Sequence, residues 1–405
     1  MTTVDGDQAV VHDFPMRRRC PFAPPDEYAR LRAHGPLARV RLPSGQLAWV
    51  VTRHEEVRQV LADPRISTDL TRPGFPQMRP VPEPEPPRLH EGEFFNMDPP
   101  EHGVYRRMLI PEFSAKRIKA LRPGVQAMID RLVDALLAAG PPADLAESFA
   151  LPVPSLGICQ LLGVPYEDHQ FFQSRIRSRK MVASDAIRVA IGEVRAYIGD
   201  LVTRAENSPG DDLLGRLVTE RRATGEVSRD AVVGMVLQLL IAAHETTANM
   251  ILLGVLSLLR HPEQLAELRA DPALWPGAVE ELLRYHAVAD GPAFARLAVA
   301  DVEVGDQVIG AGEGVIALCA SANHDERAYE RPGELDIHRG ARNHLAFGYG
   351  VHQCLGQNLA RAWLAISYET LFRRVPALRP AAEVDALPFK YDAAIFGLDE
   401  LPVTW

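Results

Sequence analysis

Apolar residues recur at every third or fourth position over segments 119–139, 166–178, 182–206, 211–222, 261–270 and 354–373, the spacing that lines up one face of an α-helix. Asp26 to Ala33 carries a shorter run of the same kind. Two regions read as strands instead. Arg39-Val40-Arg41-Leu42 and Leu47-Ala48-Trp49-Val50-Val51 flank Pro43-Ser44-Gly45-Gln46 and predict a β-hairpin, and a second small sheet is predicted around 295–319 from Asp301-Val302-Glu303-Val304 and Gly314-Val315-Ile316-Ala317-Leu318. The first dozen residues have no period and are expected to be loose. No Gly/Ser linker or change of composition divides positions 1–405, so the pattern predicts one mainly α domain with a small β region.

The longest pattern runs from Ser228, a candidate N-cap, to Arg260, with Pro262 beyond its end. About 33 helical residues span about 50 Å, enough to cross the whole protein. The central run Val236-Leu237-Gln238-Leu239-Leu240-Ile241-Ala242-Ala243 is apolar nearly all round and predicts burial. His244-Glu245-Thr246-Thr247 follow directly. Buried polar groups cost several kcal/mol without partners, so four in succession call for either a satisfied core network, an exposed face or chemistry.

The net charge of −9, from 53 acidic and 44 basic residues, offers no electrostatic footprint for nucleic acid or an anionic membrane. Arg17-Arg18-Arg19 is followed by Cys20-Pro21-Phe22-Ala23-Pro24-Pro25 where an export signal needs an apolar stretch. No segment reaches the roughly 20 apolar residues of a membrane span. A soluble cytoplasmic protein is therefore expected. Cys20, Cys159, Cys319 and Cys354 are scattered without the pairing of a metal knuckle, which suits reduced thiols. Forty of the 44 basic residues are arginine, a bias suggestive of a GC-rich bacterial genome. Seven prolines between Pro73 and Pro87 exclude a helix or sheet interior and predict a loop, either solvated or a lid.

One cysteine stands in unusual surroundings. In Phe347-Gly348-Tyr349-Gly350-Val351-His352-Gln353-Cys354-Leu355-Gly356, Gly348 and Gly350 permit positive φ and a tight bend, and Phe347 supplies an aromatic wall against water. The helix-like Gln357-Asn358-Leu359-Ala360-Arg361 follows, placing Cys354 at a helix entry whose N–H groups favour a thiolate. On its own Cys354 reads equally as a small buried hydrophobe. The spacing of Phe347, Gly350, Cys354 and Gly356 resembles the haem-binding signature of the cytochrome P-450 superfamily, the group whose iron carries an axial thiolate.

That resemblance implies a helical prism with a small β region, haem b as cofactor, and Cys354 as its iron ligand. Ala242-Ala243-His244-Glu245-Thr246 resembles the superfamily's oxygen-activating motif, with Glu245 and Thr246 as the acid-alcohol pair. Splitting dioxygen consumes two protons in a site otherwise kept dry, which suits a hydroxyl relayed by a carboxylate. Ala243 departs from the glycine of many relatives. Glu281-Leu282-Leu283-Arg284, worth only an ordinary surface pair by spacing, matches the structural pair that braces the haem loop. His102, Arg106, Arg296 and His352 match positions that bind haem propionates. The proline-rich loop corresponds to one bordering substrate.

Phe14-Pro15-Met16, Cys20-Pro21-Phe22 and Leu162-Gly163-Val164-Pro165 look like actinomycete members that oxidise macrolides, polyenes, statin precursors or secosteroids. Insertion of one oxygen atom from dioxygen into a lipophilic substrate is implied. Fold position suggests substrate contacts at Leu89, Phe94, Leu240, Ala243, Thr247, Val288, Ala289, Ile395 and Phe396. No phosphate-binding Gly-rich βαβ unit is visible, so electrons are expected from a ferredoxin and its reductase, docking near Arg106, Arg107, Lys116, Arg117 and Lys119 on a monomer. The alternatives are a peroxygenase, an oxidative coupling enzyme on the same scaffold, or a non-catalytic haem-thiolate sensor. A cysteine-histidine hydrolase from Cys354 and His352 lacks a third group and an oxyanion pattern.

Overall fold

The computed structural model describes residues 11–79, 88–165, 168, 171 and 185–405. Most of the predicted helix over 166–178, and residues 80–87 of the proline-rich loop, lie outside that description. The other helical patterns become Asp26–His34, Ala115–Ala139, Asp185–Asn207, Pro262–Ala270 and Gln357–Arg374. Segment 211–222 forms a short α-turn, Leu213–Arg216, that widens into a π-helical stretch, Leu217–Arg222. Further helices cover His54–Ala62, Glu101–Leu109, Pro152–Leu162 and Trp275–His286.

The long helix is Arg229–Arg260, begun by Ser228, whose hydroxyl accepts from the Ala231 N–H at 2.9 Å. It is the spine of the molecule, packed by Pro152–Leu162, Asp185–Asn207 and Gln357–Arg374. By length and hydropathy it suffices to cross a membrane, contrary to the sequence expectation, but 72% of its most apolar stretch is buried inside the protein. Neighbouring helices cover most of its apolar surface, as for a core helix.

The predicted hairpin is present as Leu37–Arg41 antiparallel to Leu47–Val51. The second sheet is not separate. Gly314–Ala317 joins the hairpin, running parallel to Leu47–Val51 with Ala48 opposite Gly314, and pairs on its other edge with Ala295–Ala298. All four residues of Gly314–Ala317 are buried, so an isolated two-stranded unit could not have covered them. Val302–Val304 and Gln307–Ile309 alone form a small independent hairpin. Of the first dozen residues, expected to be loose, positions 1–10 lie outside the described residues, while His12–Asp13 pairs in parallel with Val40–Arg41 at the sheet edge.

Glu281 and Arg284, one turn apart on Trp275–His286, are completely buried, where spacing alone suggested a surface pair. Their side chains form two parallel hydrogen bonds of 2.7 Å. Arg284 also donates to the carbonyls of Asn323 and Pro332 at 2.8 Å and of Glu334 at 3.2 Å, while Glu281 accepts from Asp336 N–H and from Arg339. Asn323 in turn accepts the Leu345 N–H on its side-chain oxygen at 2.7 Å, so the brace reaches the loop that carries Cys354. Glu281→Gln leaves two buried guanidinium groups without their anion and is expected to destabilise the protein by about 3–5 kcal/mol. Denaturant unfolding of the two proteins side by side measures the difference.

Candidate functional site

The backbone around Cys354 is bent as the glycines allow: Gly348 has φ 66° and Gly350 φ 74°. A side chain at Gly350 would put Cβ 2.5 Å from the Leu61 carbonyl oxygen, so the loop packs there too closely for any other residue. The Cys354 N–H donates to the Phe347 carbonyl at 2.8 Å and closes the loop on itself. The helix Gln357–Arg374 begins just beyond, with Gly356 as its N-cap. Burial pushes the Cys354 thiol up from its usual range, against the opposing pull of the Gly356 N–H, Arg106 and Arg361. The helix entry alone therefore does not produce a thiolate, and ionisation waits for a stronger cation at the sulfur.

Phe347, whose carbonyl accepts the Cys354 N–H, is half-buried. The Arg361 guanidinium lies over its ring at 4.6 Å and the His344 ring stands 5.6 Å away. Arg361 is held by Glu280 through bonds of 2.6 and 3.0 Å, and His344 lies 3.2 Å from the same carboxylate. Burial alone would raise Glu280, but His344 and Arg361 outweigh it and bring the carboxyl down to about 2. Glu280, His344 and Arg361 were not foreseen as a support for the loop. Their one signal in the sequence is a second acid directly before Glu281.

Four nitrogen-bearing side chains converge nearby from three elements: His102 and Arg106 from Glu101–Leu109, Arg296 from Ala295–Ala298 and His352 from the turn Gly350–His352. Arg106, on Glu101–Leu109, turns inward and donates to the Gln353 carbonyl, which removes it from the surface where partner docking was expected. The His102 and His352 rings are 4.2 Å apart, and His352 reaches the Thr68 hydroxyl at 3.4 Å. Desolvation, then Arg106, lowers His102 to about 4. Desolvation followed by His102, Arg296 and Arg106 lowers His352 to about 3, and desolvation brings Arg296 to about 10. The nearest acid, Asp98, is already bonded to Ser67, Thr68 and Arg72. His102 Nε2 is buried with no hydrogen-bond partner among the described residues.

Along the long helix burial is nearly continuous, yet Ile241, Ala242, Ala243, Glu245 and Thr246 are only half-buried. The Thr246 hydroxyl donates to the Ala242 carbonyl at 2.8 Å, and the helix keeps α geometry past the extra methyl of Ala243. The Glu245 carboxylate meets Lys390 at 3.2 Å. His244 is buried, as are Leu240 and Thr247. Val288 and Ala289 are brought to Ile395 and Phe396 by a backbone bridge between Ala289 and Ile395 and a 2.9 Å bond from the Phe396 N–H to the Val288 carbonyl. Phe94 is fully buried with its ring 5.9 Å from His102, and Leu89 is half-buried.

Known proteins are similar to this chain in sequence and fold. A family model described as cytochrome P450 matches residues 274–376. A vitamin D3 dihydroxylase of Streptomyces griseolus is 51% identical, with 97% of this chain and 96% of that protein covered. The chain belongs to the cytochrome P450 family. The mycinamicin VIII C21 methyl hydroxylase of Micromonospora griseorubida is 45% identical over 97% of this chain and 99% of its own. The crystal structure of the cytochrome P450 MoxA from Nonomuraea recticatena superposes with a TM-score of 0.90 at 50% identity, covering 97% of this chain and 98% of that one.

As a cytochrome P450 monooxygenase the protein implies haem-thiolate iron, and its residues fit that group. Cys354 is an enclosed thiol that needs a metal to ionise. The cluster of Arg106, His102, His352 and Arg296 is short of negative charge, and the two propionates of a haem would supply it. Lys390 is the further charged residue at this P450 site that sequence reasoning missed, because nothing local to it signals a helix some 145 positions earlier.

Proposed function

We propose that this protein is a ferredoxin-dependent P450 hydroxylase of lipophilic, medium-sized natural products, acting as a single-domain cytoplasmic monomer. The macrolide and secosteroid substrates named for its relatives support that substrate class. The observation that carries the reading is the loop from Phe347 to Gly356, which closes on an enclosed Cys354 and faces it with cations lacking an anion. When bound, haem b on Cys354 would bind dioxygen and supply the oxidising power to insert one oxygen atom, the thiolate favouring O–O cleavage.

The chain's own residues have separable tasks in this reading. His102, Arg106, Arg296 and His352 hold the two carboxylates. Phe347 keeps water from the sulfur, Gly350 lets the loop pack against Leu61, and Gly356 leaves the space beside the sulfur open for the cofactor. Thr246 holds a proton on its hydroxyl and passes it inward; Glu245 replaces it from solvent. Ala243, Leu240 and Thr247 present one helix face to substrate, with Leu89 and Phe94 on one side and Val288, Ala289, Ile395 and Phe396 on the other. Electrons arrive at the face carrying Arg107, Lys116 and Lys119, all three of them exposed. Arg117 contributes less, being 3.6 Å from Glu112.

Reduced protein with carbon monoxide is expected to show the red-shifted Soret band of thiolate ligation, and Cys354→Ala to lose it without unfolding. Retention of the band in that variant would sink the assignment.

Thr246→Ala should still consume reductant and oxygen but release more hydrogen peroxide, lowering product per electron pair by about tenfold or more. Turnover driven by added peroxide should suffer much less. Unchanged coupling would hand the role to water or Thr247.

Ferredoxin reduction of the enzyme should slow as salt rises, and charge reversal at Arg107 or Lys116 should slow it further at low salt. Rates indifferent to both would exclude this face.

A further inference from the structure

Glu245 finds its charge partner across the fold, at the tip of the C-terminal loop. Lys390 Nζ lies 3.2 Å from Glu245 Oε1, 3.4 Å from Asn249 Oδ1 and 3.9 Å from Asp399 Oδ1. Glu245 and Asn249 are one helical turn apart, so the ammonium sits over a single face of the long helix. The Lys390 and Glu245 side chains are 15% and 21% exposed, which limits screening, whereas Asp399 is largely open to solvent. With His244 these groups line one small pocket, whose wall includes the exposed Asp399 and the more buried Glu245.

The loop holding Lys390 is fixed on both flanks. Its own N–H donates to the Gly397 carbonyl at 2.8 Å, Phe389 bridges to Leu398, and the Phe396 N–H bonds the Val288 carbonyl. Gly397 lies so near the long helix that a Cβ there would fall 2.1 Å from Asn249. Four of the 44 basic residues are lysine, and this one donates hydrogen bonds to Glu245 and Asn249 while Asp399 adds a looser ion pair.

We propose that Lys390 is a positioning residue for proton delivery, holding the Glu245 carboxylate in the wall of this pocket, directly before Thr246 in the chain. The inference rests on Glu245 being the acid that resupplies Thr246. Each proton that Thr246 gives up is replaced from Glu245, and Glu245 regains its own from water entering beside Asp399, so neither residue is consumed. A glutamate on a helix face samples several rotamers, and one clamped cation selects among them.

The test compares Glu245→Gln, Lys390→Met, Lys390→Arg and the double variant Glu245→Gln/Lys390→Met as haem-loaded proteins, with vitamin D3 as the turnover probe. The carboxylate stretch of Glu245, isolated by subtracting the infrared spectrum of Glu245→Gln, should shift in Lys390→Met and return most of the way in Lys390→Arg. Product per electron pair should fall roughly threefold or more in Lys390→Met, recover in Lys390→Arg, and fall no further in the double variant than in Glu245→Gln alone. If Lys390→Met loads poorly by its carbon monoxide band, Lys390→Gln takes its place. An unmoved stretch, an additive loss in the double variant, or no rescue by arginine overturns the inference. Unimpaired coupling in Glu245→Gln overturns the reading of Glu245 itself, whereas impaired Glu245→Gln beside normal Lys390→Met removes only the role of Lys390.

Discussion

A sulfur that must ionise in surroundings that disfavour ionisation sets the terms for the rest of this structure. Burial pushes the Cys354 thiol up, and neither the helix entry at Gly356 nor the guanidinium groups of Arg106 and Arg361 reverse that. Such a group is useless as a nucleophile in water but well suited to a metal whose binding expels the proton. The sulfur must then stay in place before the metal arrives, and the packing around it is arranged accordingly. Gly350 is pressed against Leu61, and the Cys354 N–H is tied to Phe347. Behind the loop, Leu345 hangs from Asn323, whose carbonyl is one of three bound by Arg284. The buried Glu281–Arg284 pair is thus remote from the sulfur yet decides where it sits.

Charge is distributed to match. On one side His102, His352, Arg106 and Arg296 crowd together until desolvation and mutual repulsion keep both imidazoles neutral. A protein seldom gathers such groups without an acid unless a ligand brings it, since each buried cation costs several kcal/mol unpaired. On the long helix the opposite arrangement holds: its nearly continuous burial is interrupted between positions 241 and 246, and the polar residues left half-buried there are Glu245 and Thr246. Cations collect where a permanent anion would bind, and a carboxylate with a hydroxyl collects where protons would have to move.

What could be read from the sequence was local in its physics. The glycines of the ligand loop announce positive φ, the polar run after Ala243 announces itself against an apolar background, and the Ser228 cap marks where the spine begins. What could not be read depends on partners far along the chain. Spacing made Glu281 and Arg284 a surface pair, because their burial is decided by Asn323, Pro332, Glu334 and Arg339. Alternation identified Gly314–Ala317 as a strand but not its neighbours, which are parallel Leu47–Val51 and antiparallel Ala295–Ala298. Arg106 was expected both at the propionates, by resemblance, and in an exposed docking stretch, by charge; its inward turn toward Gln353, which rules out the second, follows from helix phase relative to a loop some 247 positions later.

The C-terminal loop makes the same point at the site itself. Within a few residues it places Ile395 and Phe396 against the Val288–Ala289 turn and Lys390 against Glu245, with Gly397 fitted tightly to the long helix between them. One short segment therefore touches both the region proposed for substrate and the carboxylate proposed for proton supply. Because the loop is clamped by backbone bonds, a displacement at Phe396 cannot be absorbed entirely within it. Closely packed elements pass such shifts to their neighbours. The packing of Ile395 and Phe396 and the placement of Lys390 against Glu245 are therefore set together, through a Gly397 that leaves no room for a side chain beside Asn249.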